Sequence, residues 1–359
     1  MPRRSVALQT SIIPPKADVG CNTDNAPHQN NSPSSAAASL SSDEDQDSAE
    51  DYIPSTSEES EEDEKSLSLI VTRDYIRNNP MRYIGLDKEH LDIVNLLSNK
   101  ICYREREQLM TRSDVVSLVL MRIRTNIPSN IIADMFGISV GMVSMMLSRH
   151  IPIVASCLQG LIYWPPSEMI RKRLPHAFKA YYHNVESIID CFEIEIEKPS
   201  TAMIQSMSWS AYKNCNTVKY FISATPDGLV NFVSTGRPGR CSDMELLRQS
   251  GYLEYLREGT TVLADRGFKE VESELVARGC KLVRPVSVRK SEKLSKKSVL
   301  DMKAVAALRI HIERVIRRVR LFKFLSMHAC VPLSMVDLLD DVVKIACGLI
   351  NTHERIVKV

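Results

Sequence analysis

The chain has 359 residues, of which 44% are hydrophobic, so it can bury one large core or two modest ones. Its net charge of +2 combines an acidic part, with 14 Asp/Glu against 4 Lys/Arg in residues 1–65, and a basic remainder with 30 against 42. A basic folded part is typical of polyanion-binding proteins, although ordinary surface charge explains it equally well. Nine cysteines without a CxxC pair, and a start without an apolar stretch, predict a reduced, intracellular protein rather than a secreted one.

Residues 1–66 are the most acidic and serine-rich part of the chain, with the runs SSDEDQDSAED and STSEESEEDEKS. Large apolar residues are almost absent from this part, so it cannot bury enough surface to fold and is predicted to be a disordered tail. Its serines beside acidic clusters are candidates for phosphorylation, with a passive acidic tail as the alternative.

Apolar residues recur at intervals of three and four from about Lys88 to Cys157, which predicts a helical domain over residues 88–160. The most apolar stretch of this region is interrupted by Arg149, His150 and Pro152. A single helix that crosses a membrane is therefore not expected, and the protein is predicted to be soluble.

The sequence IPSNIIADMFGISVGMVSMMLSRH predicts two short helices joined by a tight turn. Gly137 is expected to end the first helix in a left-handed conformation, and Ser139 to cap the second. With Val140, Val143 and Leu147 facing inward, the pair is a helix-turn-helix, and a plain helical hairpin is the alternative. The side chains that the second helix would present to a DNA major groove are Ser139, Met142, Ser144, Ser148 and Arg149.

After the rigid sequence YWPP at residues 163–166, the pattern changes from helical to alternating. Strands are predicted at 187–196, 217–224, 229–234, 260–264 and 281–285, and helices at 242–256, 270–278 and 302–322. This order predicts an α/β mixed fold, with a mixed five-stranded sheet flanked by helices, over a domain of residues 184–351.

Asp190 lies on the apolar face of the first predicted strand, in alternation with Ile188 and Phe192. A carboxylate on such a face is costly unless a positive group meets it. The acids of opposite parity are predicted to be solvated, and they are Glu193, Glu195 and Glu197.

Two further acids occupy positions at which chemistry is common. Asp265 ends the strand TVLA and precedes a tight Arg-Gly turn, and ligand sites form at such strand ends. Glu313 lies on the basic helix sequence RIHIERVIRRVR, with Arg309 and Arg317 one turn away on either side. Taken alone, Glu313 is also explained as a surface residue in an i,i+4 ion pair.

Three convergent carboxylates can hold two hard cations, one to activate a nucleophile and one to stabilise the leaving oxygen of a phosphodiester. Mg²⁺, with Mn²⁺ as its substitute, is therefore the expected cofactor. Water as nucleophile would give hydrolysis, and a freed 3′-hydroxyl would give strand transfer.

The chain resembles the PIF/Harbinger group of transposases in a set of motifs between about residues 100 and 350. They are SVGMVSMMLS, IIDCFEIEI, SWSAYKNCNTVKYFISATPDGLVNFVS, GRPGRCSDMELL, VLADRGF and LRIHIERVIRRVRLFK. The resemblance implies a DDE-type endonuclease domain with a ribonuclease H-like fold, preceded by an all-α helix-turn-helix domain. It also implies that Asp190, Asp265 and Glu313 are the catalytic, metal-binding triad.

Other residues in these motifs match positions of the family. Asp243 matches an additional acid that is either a fourth metal ligand or, as we favour, the cap of the following helix. Lys213 and Lys219 match basic positions that could line a DNA path, with solvated lysines as the alternative. A basic cluster is predicted to contact phosphates or to direct nuclear import, with a charged loop as the alternative, and comprises Arg289, Lys290, Lys293, Lys296 and Lys297.

The sequence departs from some relatives because its Cys and His spacings do not support a zinc site. DNA recognition is then expected from the helix-turn-helix or from a separate DNA-binding accessory protein. We expect a nuclear protein with DNA as its partner, and a homo-oligomer is a further possibility. Two alternatives remain open, which are a host-adopted DNA-binding protein without catalysis and a nuclease for structured or hybrid nucleic acids.

Overall fold

The structure, a computed structural model, describes residues 57–102, 110–179, 182–285 and 296–356, and their side chains except those of 57–63, 296–304 and 306. The predicted tail up to residue 56, and Arg289, Lys290 and Lys293, lie outside the described residues. Helix α1 (Ser57–Asn78) contains residues 57–66, so the prediction that the disordered tail extends to residue 66 is wrong at its end. Glutamates favour a helix there, and Leu69 and Ile76 of the same helix are buried.

Helices form most of the described chain before residue 180. They are α2 (Pro80–Tyr83), α3 (Asp92–Ser98), α4 (Arg112–Thr125), α5 (Ser129–Phe136), α6 (Val140–Leu158), α7 (Ser167–Lys172) and α8 (His176–Lys179). A capping box between Thr111 and Asp114 starts α4. Asp114 also pairs with Arg73 of α1 at 2.6 Å, which ties the first helix to the fourth.

The turn between α5 and α6 has the predicted local geometry. Gly137 ends α5 with a φ of 65°, and the Ser139 hydroxyl accepts a hydrogen bond from the Met142 N–H at 3.2 Å. Val143 and Leu147 are buried, but Val140 is exposed, so its prediction as an inward-facing residue is wrong. Val140 is the first residue of α6 and lies on its solvent side.

Helix α6 continues through Pro152 without ending, contrary to the interruption predicted from Arg149, His150 and Pro152. Among the described residues, the helical stretch 140–161 is long and apolar enough to cross a membrane by length and composition. Its buried side chains, which include Ile151 and Val154, join the core of the protein, as in a core helix.

The second half of the chain forms a sheet with helices around it. The strands are β1 (Val185–Glu195), β2 (Trp209–Ser210), β3 (Cys215–Ala224), β4 (Val230–Val233), β5 (Arg237–Pro238), β6 (Thr261–Leu263) and β7 (Lys281–Val283). The helices are α9 (Ala202–Ser208), α10 (Asp243–Gln249), α11 (Glu272–Val276), α12 (Lys296–Val319) and α13 (Leu339–Ile350). The helix predicted at 242–256 corresponds to α10 and ends early, at Gln249, because Gly251 turns the chain with a φ of 79°.

The strand order β2-β3-β1-β6-β7 confirms the predicted mixed sheet flanked by helices. β1 is antiparallel to β3 and parallel to β6, and β6 is parallel to β7. The five predicted strands are all present, and the two-residue strands β2 and β5 were not predicted. β2, β4 and β5 pair with successive parts of β3, so they line its outer edge.

Apolar cores lie on both faces of the sheet. Ile188 of β1 belongs to the core formed with α12, α13 and the N-terminal helices, whereas Ile189 belongs to the core under α10 and α11. Helix α6 packs directly on α13, where a Cβ on Gly348 would lie 2.9 Å from the Leu158 carbonyl oxygen. The segments 88–160 and 184–351, predicted as two domains, therefore share one core.

Candidate active site

Asp190 lies on β1, and Asp265 lies two residues beyond the end of the adjacent parallel strand β6. β1 and β6 pair with Ile188 opposite Leu263, and two residues further along each chain bring Asp190 and Asp265 side by side. Asp265 keeps an extended backbone, with φ −77° and ψ 170°, although it has left the hydrogen-bonded strand. Both carboxylates therefore lie on the same side of the sheet, at the carboxyl end of β6.

The Asp190 carboxyl is partly buried and accepts a hydrogen bond from the next residue of the chain. The Cys191 N–H donates to Asp190 Oδ1 at 2.8 Å. Burial raises the pKa of Asp190 to about 6, and the negative charges of Asp265 and Asp243 act in the same direction. The Cys191 hydrogen bond and the positive charge of Arg309 oppose this increase. Asp190 is thus a carboxylate whose charge the surrounding protein compensates incompletely.

Arg309 of α12 joins the other two acids of the predicted triad. Its Nη1 lies 3.1 Å from Asp265 Oδ1, and its Nη2 lies 3.8 Å from Glu313 Oε1. Asp265 and Glu313 are half-exposed, whereas the guanidinium is largely buried and its Nε has no hydrogen-bond partner among the described residues. The i,i+4 ion pair proposed as the alternative for Glu313 is present. The same arginine, however, also connects Glu313 electrostatically to Asp265 and Asp190.

Asp243 lies beside these acids and is not a helix cap. The cap of α10 is Ser242, whose hydroxyl accepts a hydrogen bond from the Glu245 N–H at 3.1 Å, so the prediction of a capping Asp243 is wrong. Asp243 Oδ1 instead pairs with Lys219 Nζ at 3.1 Å. Its Oδ2 would lie 3.8 Å from a Cβ built on Gly267, two residues after Asp265.

Lys219 and Glu193 form a second charged pair under the site. Lys219 Nζ lies 3.4 Å from Glu193 Oε1, and the two side chains are only 12% and 8% exposed. Burial alone would lower the pKa of Lys219, but the Asp243 and Glu193 carboxylates raise it above its ordinary value, so the amine stays charged. The predictions of a solvated Lys219 and a solvated Glu193 are wrong, because helices cover both faces of the sheet.

The remaining glutamates of β1 and the next residues also have partners. Glu195 Oε2 lies 3.2 Å from His328 Nδ1, and Glu197 accepts a hydrogen bond from the Leu333 N–H at 3.1 Å. Register alone pairs Glu193 with Lys219 across β1 and β3. The sequence contained this signal, whereas the bridging position of Arg309 depends on how α12 packs.

The predicted DNA-contacting residues occupy several surfaces. On α6, Ser139, Ser144 and Ser148 are exposed, and Met142 and Arg149 are partly exposed. Lys213 Nζ lies 4.8 Å from the centre of the Tyr212 ring.

The donor chemistry of the site fits a hard divalent cation, because Asp190, Asp243, Asp265 and Glu313 all offer carboxylate oxygens. The raised pKa of Asp190 also indicates a site that a positive charge would stabilise. Among the residues that the structure describes, however, no group of three His, Cys, Asp or Glu side chains is close enough to hold a metal ion. The acids are spread apart with Arg309 between two of them.

Residues 189–351 match the family model described as DDE superfamily endonuclease. The matched segment covers just under half of the chain and contains β1 from its fifth residue, the rest of the sheet, α12 and α13. Endonucleases of this superfamily typically use divalent metals. No curated protein and no solved structure gives a significant match. The comparison supports a DDE-type endonuclease domain, with DNA as the substrate that this family implies.

Proposed function

We propose that the protein is a divalent-metal-dependent DNA endonuclease of the DDE type, and specifically a transposase of the PIF/Harbinger group. The observation that carries this proposal is the placement of Asp190 on β1 beside Asp265, which follows the end of the adjacent parallel strand β6. Glu313 joins them from α12 through the Arg309 guanidinium. All three acids lie within residues 189–351, the segment that matches the family model.

In this proposal Asp190, Asp265 and Glu313 would hold two Mg²⁺ or Mn²⁺ ions, with Asp243 as a candidate fourth ligand. Such ions activate the nucleophile and stabilise the leaving oxygen in phosphodiester cleavage. The central strand β1 fixes the position of the Asp190 carboxylate, and the Cys191 N–H orients it. Arg309 reduces the repulsion between Asp265 and Glu313. With water as nucleophile the reaction is strand cleavage, and with a freed 3′-hydroxyl it is strand joining.

Nicking of supercoiled plasmid by the purified full-length protein tests the catalytic proposal. We expect nicking with Mn²⁺ or Mg²⁺, none with EDTA, and none in Asp190→Asn, Asp265→Asn or Glu313→Gln. The control is Asp337→Asn, which changes an exposed acid outside the cluster and should nick like the wild type. Full nicking by any triad variant would remove that residue from the catalytic set.

We also propose that the α5–α6 pair acts as a helix-turn-helix and that the exposed side of α6 contacts duplex DNA. Ser144→Asp combined with Ser148→Asp adds two negative charges to this side without disturbing the core, since both serines are exposed. Duplex binding should weaken by about tenfold or more through phosphate repulsion. Ser156→Asp, at an exposed position further along α6, is the matched control and should bind normally.

A second candidate function is a host-adopted DNA-binding protein without catalysis. The observation that favours it is the Arg309 guanidinium between Asp265 and Glu313, which already neutralises part of the acidic cluster. This candidate predicts DNA binding that is indifferent to Mg²⁺ and unchanged in the triad variants. A panel of duplex, hybrid and branched substrates separates both candidates from a nuclease for structured nucleic acid.

Nuclear location, a homo-oligomer and a separate DNA-binding accessory protein belong to the same proposal. Imaging of the tagged full chain tests the location, and light scattering of the purified protein tests the oligomer. If the chain alone binds the DNA ends of its own element, an accessory protein is not needed.

A further inference from the structure

A cleft of about 780 Å³ opens next to the charged pair of Lys219 and Glu193. Its lining includes the aromatic residues Trp209 and Tyr212 and the basic residue Arg240. The volume falls within the range of about 300–1,000 Å³ that is usual for small-ligand sites. The cleft therefore admits one or two nucleotides but not a DNA duplex.

The two aromatic residues of the cleft are exposed although they lie on β2 and in the turn that follows it. Trp209 belongs to β2, where it pairs with Asn216 of β3, and its side chain remains 42% exposed. Tyr212, in the turn that follows, is 83% exposed, with Lys213 Nζ 4.8 Å from its ring centre. Two exposed aromatic rings with a nearby cation offer faces on which a nucleobase can stack.

Close backbone packing fixes the position of Arg240, the basic residue of the cleft lining. The Arg240 N–H donates to the Met207 carbonyl oxygen at 3.1 Å, and Arg240 Nη1 donates to Ser206 Oγ at 3.0 Å. The preceding Gly239 packs so tightly that a Cβ would overlap Thr217 Oγ1 and lie 2.8 Å from the Ser208 carbonyl oxygen. Arg240 is thus held at the rim, where it can meet a phosphate.

Two residues of the cleft lining, Lys219 and Glu193, connect the cleft to the acidic cluster. Lys219 contacts Glu193 on the cleft side and Asp243 on the other side, at 3.4 and 3.1 Å. Asp243 in turn lies against Gly267, next to Asp265. Since the charge of Glu193 is offset by Lys219, the exposed Arg240 is the lining residue that can meet the phosphate of a nucleotide.

We propose that this cleft binds an unstacked nucleotide of single-stranded DNA, with its base on Trp209 and Tyr212 and its phosphate on Arg240. The role of this cleft rests on the proposed function, because the bound single strand would lie beside the proposed cleavage site. Binding itself does not require cleavage, so it is measured independently of catalysis.

The test is the affinity of the full-length protein for a fluorescently labelled 15-nucleotide thymidine strand in EDTA, with a labelled duplex in parallel. Trp209→Ala and Tyr212→Ala should each weaken single-strand binding about 5- to 100-fold, as for loss of base stacking. Trp209→Phe should restore most of the affinity, and Arg240→Gln should reduce its dependence on salt. Duplex binding should change little in all four variants.

Tyr163→Ala is the matched control, because Tyr163 is 43% exposed, like Trp209, but does not line the cleft. Wild-type affinity for the single strand in both Trp209→Ala and Tyr212→Ala would overturn the proposal, and so would equal losses for single strand and duplex. Tyr212 is too exposed for its truncation to unfold the protein, so a loss in that variant reports on binding. Absence of metal-dependent nicking would count against the proposed function only, since this assay contains no metal.

Discussion

Arg309→Met should make the acidic cluster bind a divalent cation more tightly, even though it removes a partner of two acids. The Arg309 guanidinium lies 3.1 Å from Asp265 and 3.8 Å from Glu313, so a cation entering this space competes with it. Both acids are half-exposed, so solvent screening reduces each contact to at most about 1 kcal/mol. Loss of both contacts corresponds to a dissociation constant that is about 5- to 30-fold lower. Methionine keeps an unbranched apolar stem at this position without the charge.

The measurement is Mn²⁺ binding to the full-length protein by electron paramagnetic resonance, without DNA. Arg317→Met changes an exposed arginine two turns further along α12, for which no ion pair is seen among the described residues, and should leave the affinity unchanged. Arg309→Met combined with Asp265→Asn should lose the gain. An unchanged or weaker Mn²⁺ affinity in Arg309→Met would show that the arginine supports the metal site rather than competing with it.

Three further predictions concern stability. Because burial raises the pKa of Asp190 from 3.8 to about 6, ionisation of this group opposes folding, with no penalty below about pH 4 and a full penalty above about pH 6. The free energy of unfolding of Asp190→Asn in urea should therefore equal that of the wild type near pH 4 and exceed it by about 3 kcal/mol near pH 7.5, and a difference independent of pH would contradict this. Lys219→Met leaves Glu193 buried without a cation and should cost about 2–3 kcal/mol, of which Glu193→Gln in the same chain should recover a part in urea unfolding. Gly239→Ala places a methyl group against Thr217 and should cost about 1–3 kcal/mol by thermal unfolding, whereas Gly160→Ala, where no described atom lies within 4 Å of the added methyl group, should be nearly neutral.

The local elements were predictable because short-range chemistry determines them. Gly137 and Ser139 end one helix and start the next through their own backbone and side-chain preferences. The strands β1, β3 and β4 follow from alternation and β-branched residues. The two-residue strands β2 and β5 have no such pattern, since they exist only because β3 offers a free edge.

The charged residues were harder to place, because their environment depends on elements far away in sequence. Parity predicted the opposite face of β1 to be solvated, but Glu193 on that face is largely buried and pairs with Lys219, which also contacts Asp243 of α10. The position of Arg309 between Asp265 and Glu313 depends on the packing of α12 against β1. Helical spacing alone reveals only the contact within α12.

The acidic cluster includes a carboxylate whose charge is unfavourable at its place in the central strand. β1 is the central strand, paired on both edges, so Asp190 cannot leave its partly buried position without disturbing two neighbouring strands. Its raised pKa means that the protein loses free energy of folding whenever this carboxyl is charged. At neutral pH, replacement of Asp190 by asparagine would therefore raise the free energy of unfolding. An acid at this position is therefore better explained by a positively charged ligand than by the stability of the sheet.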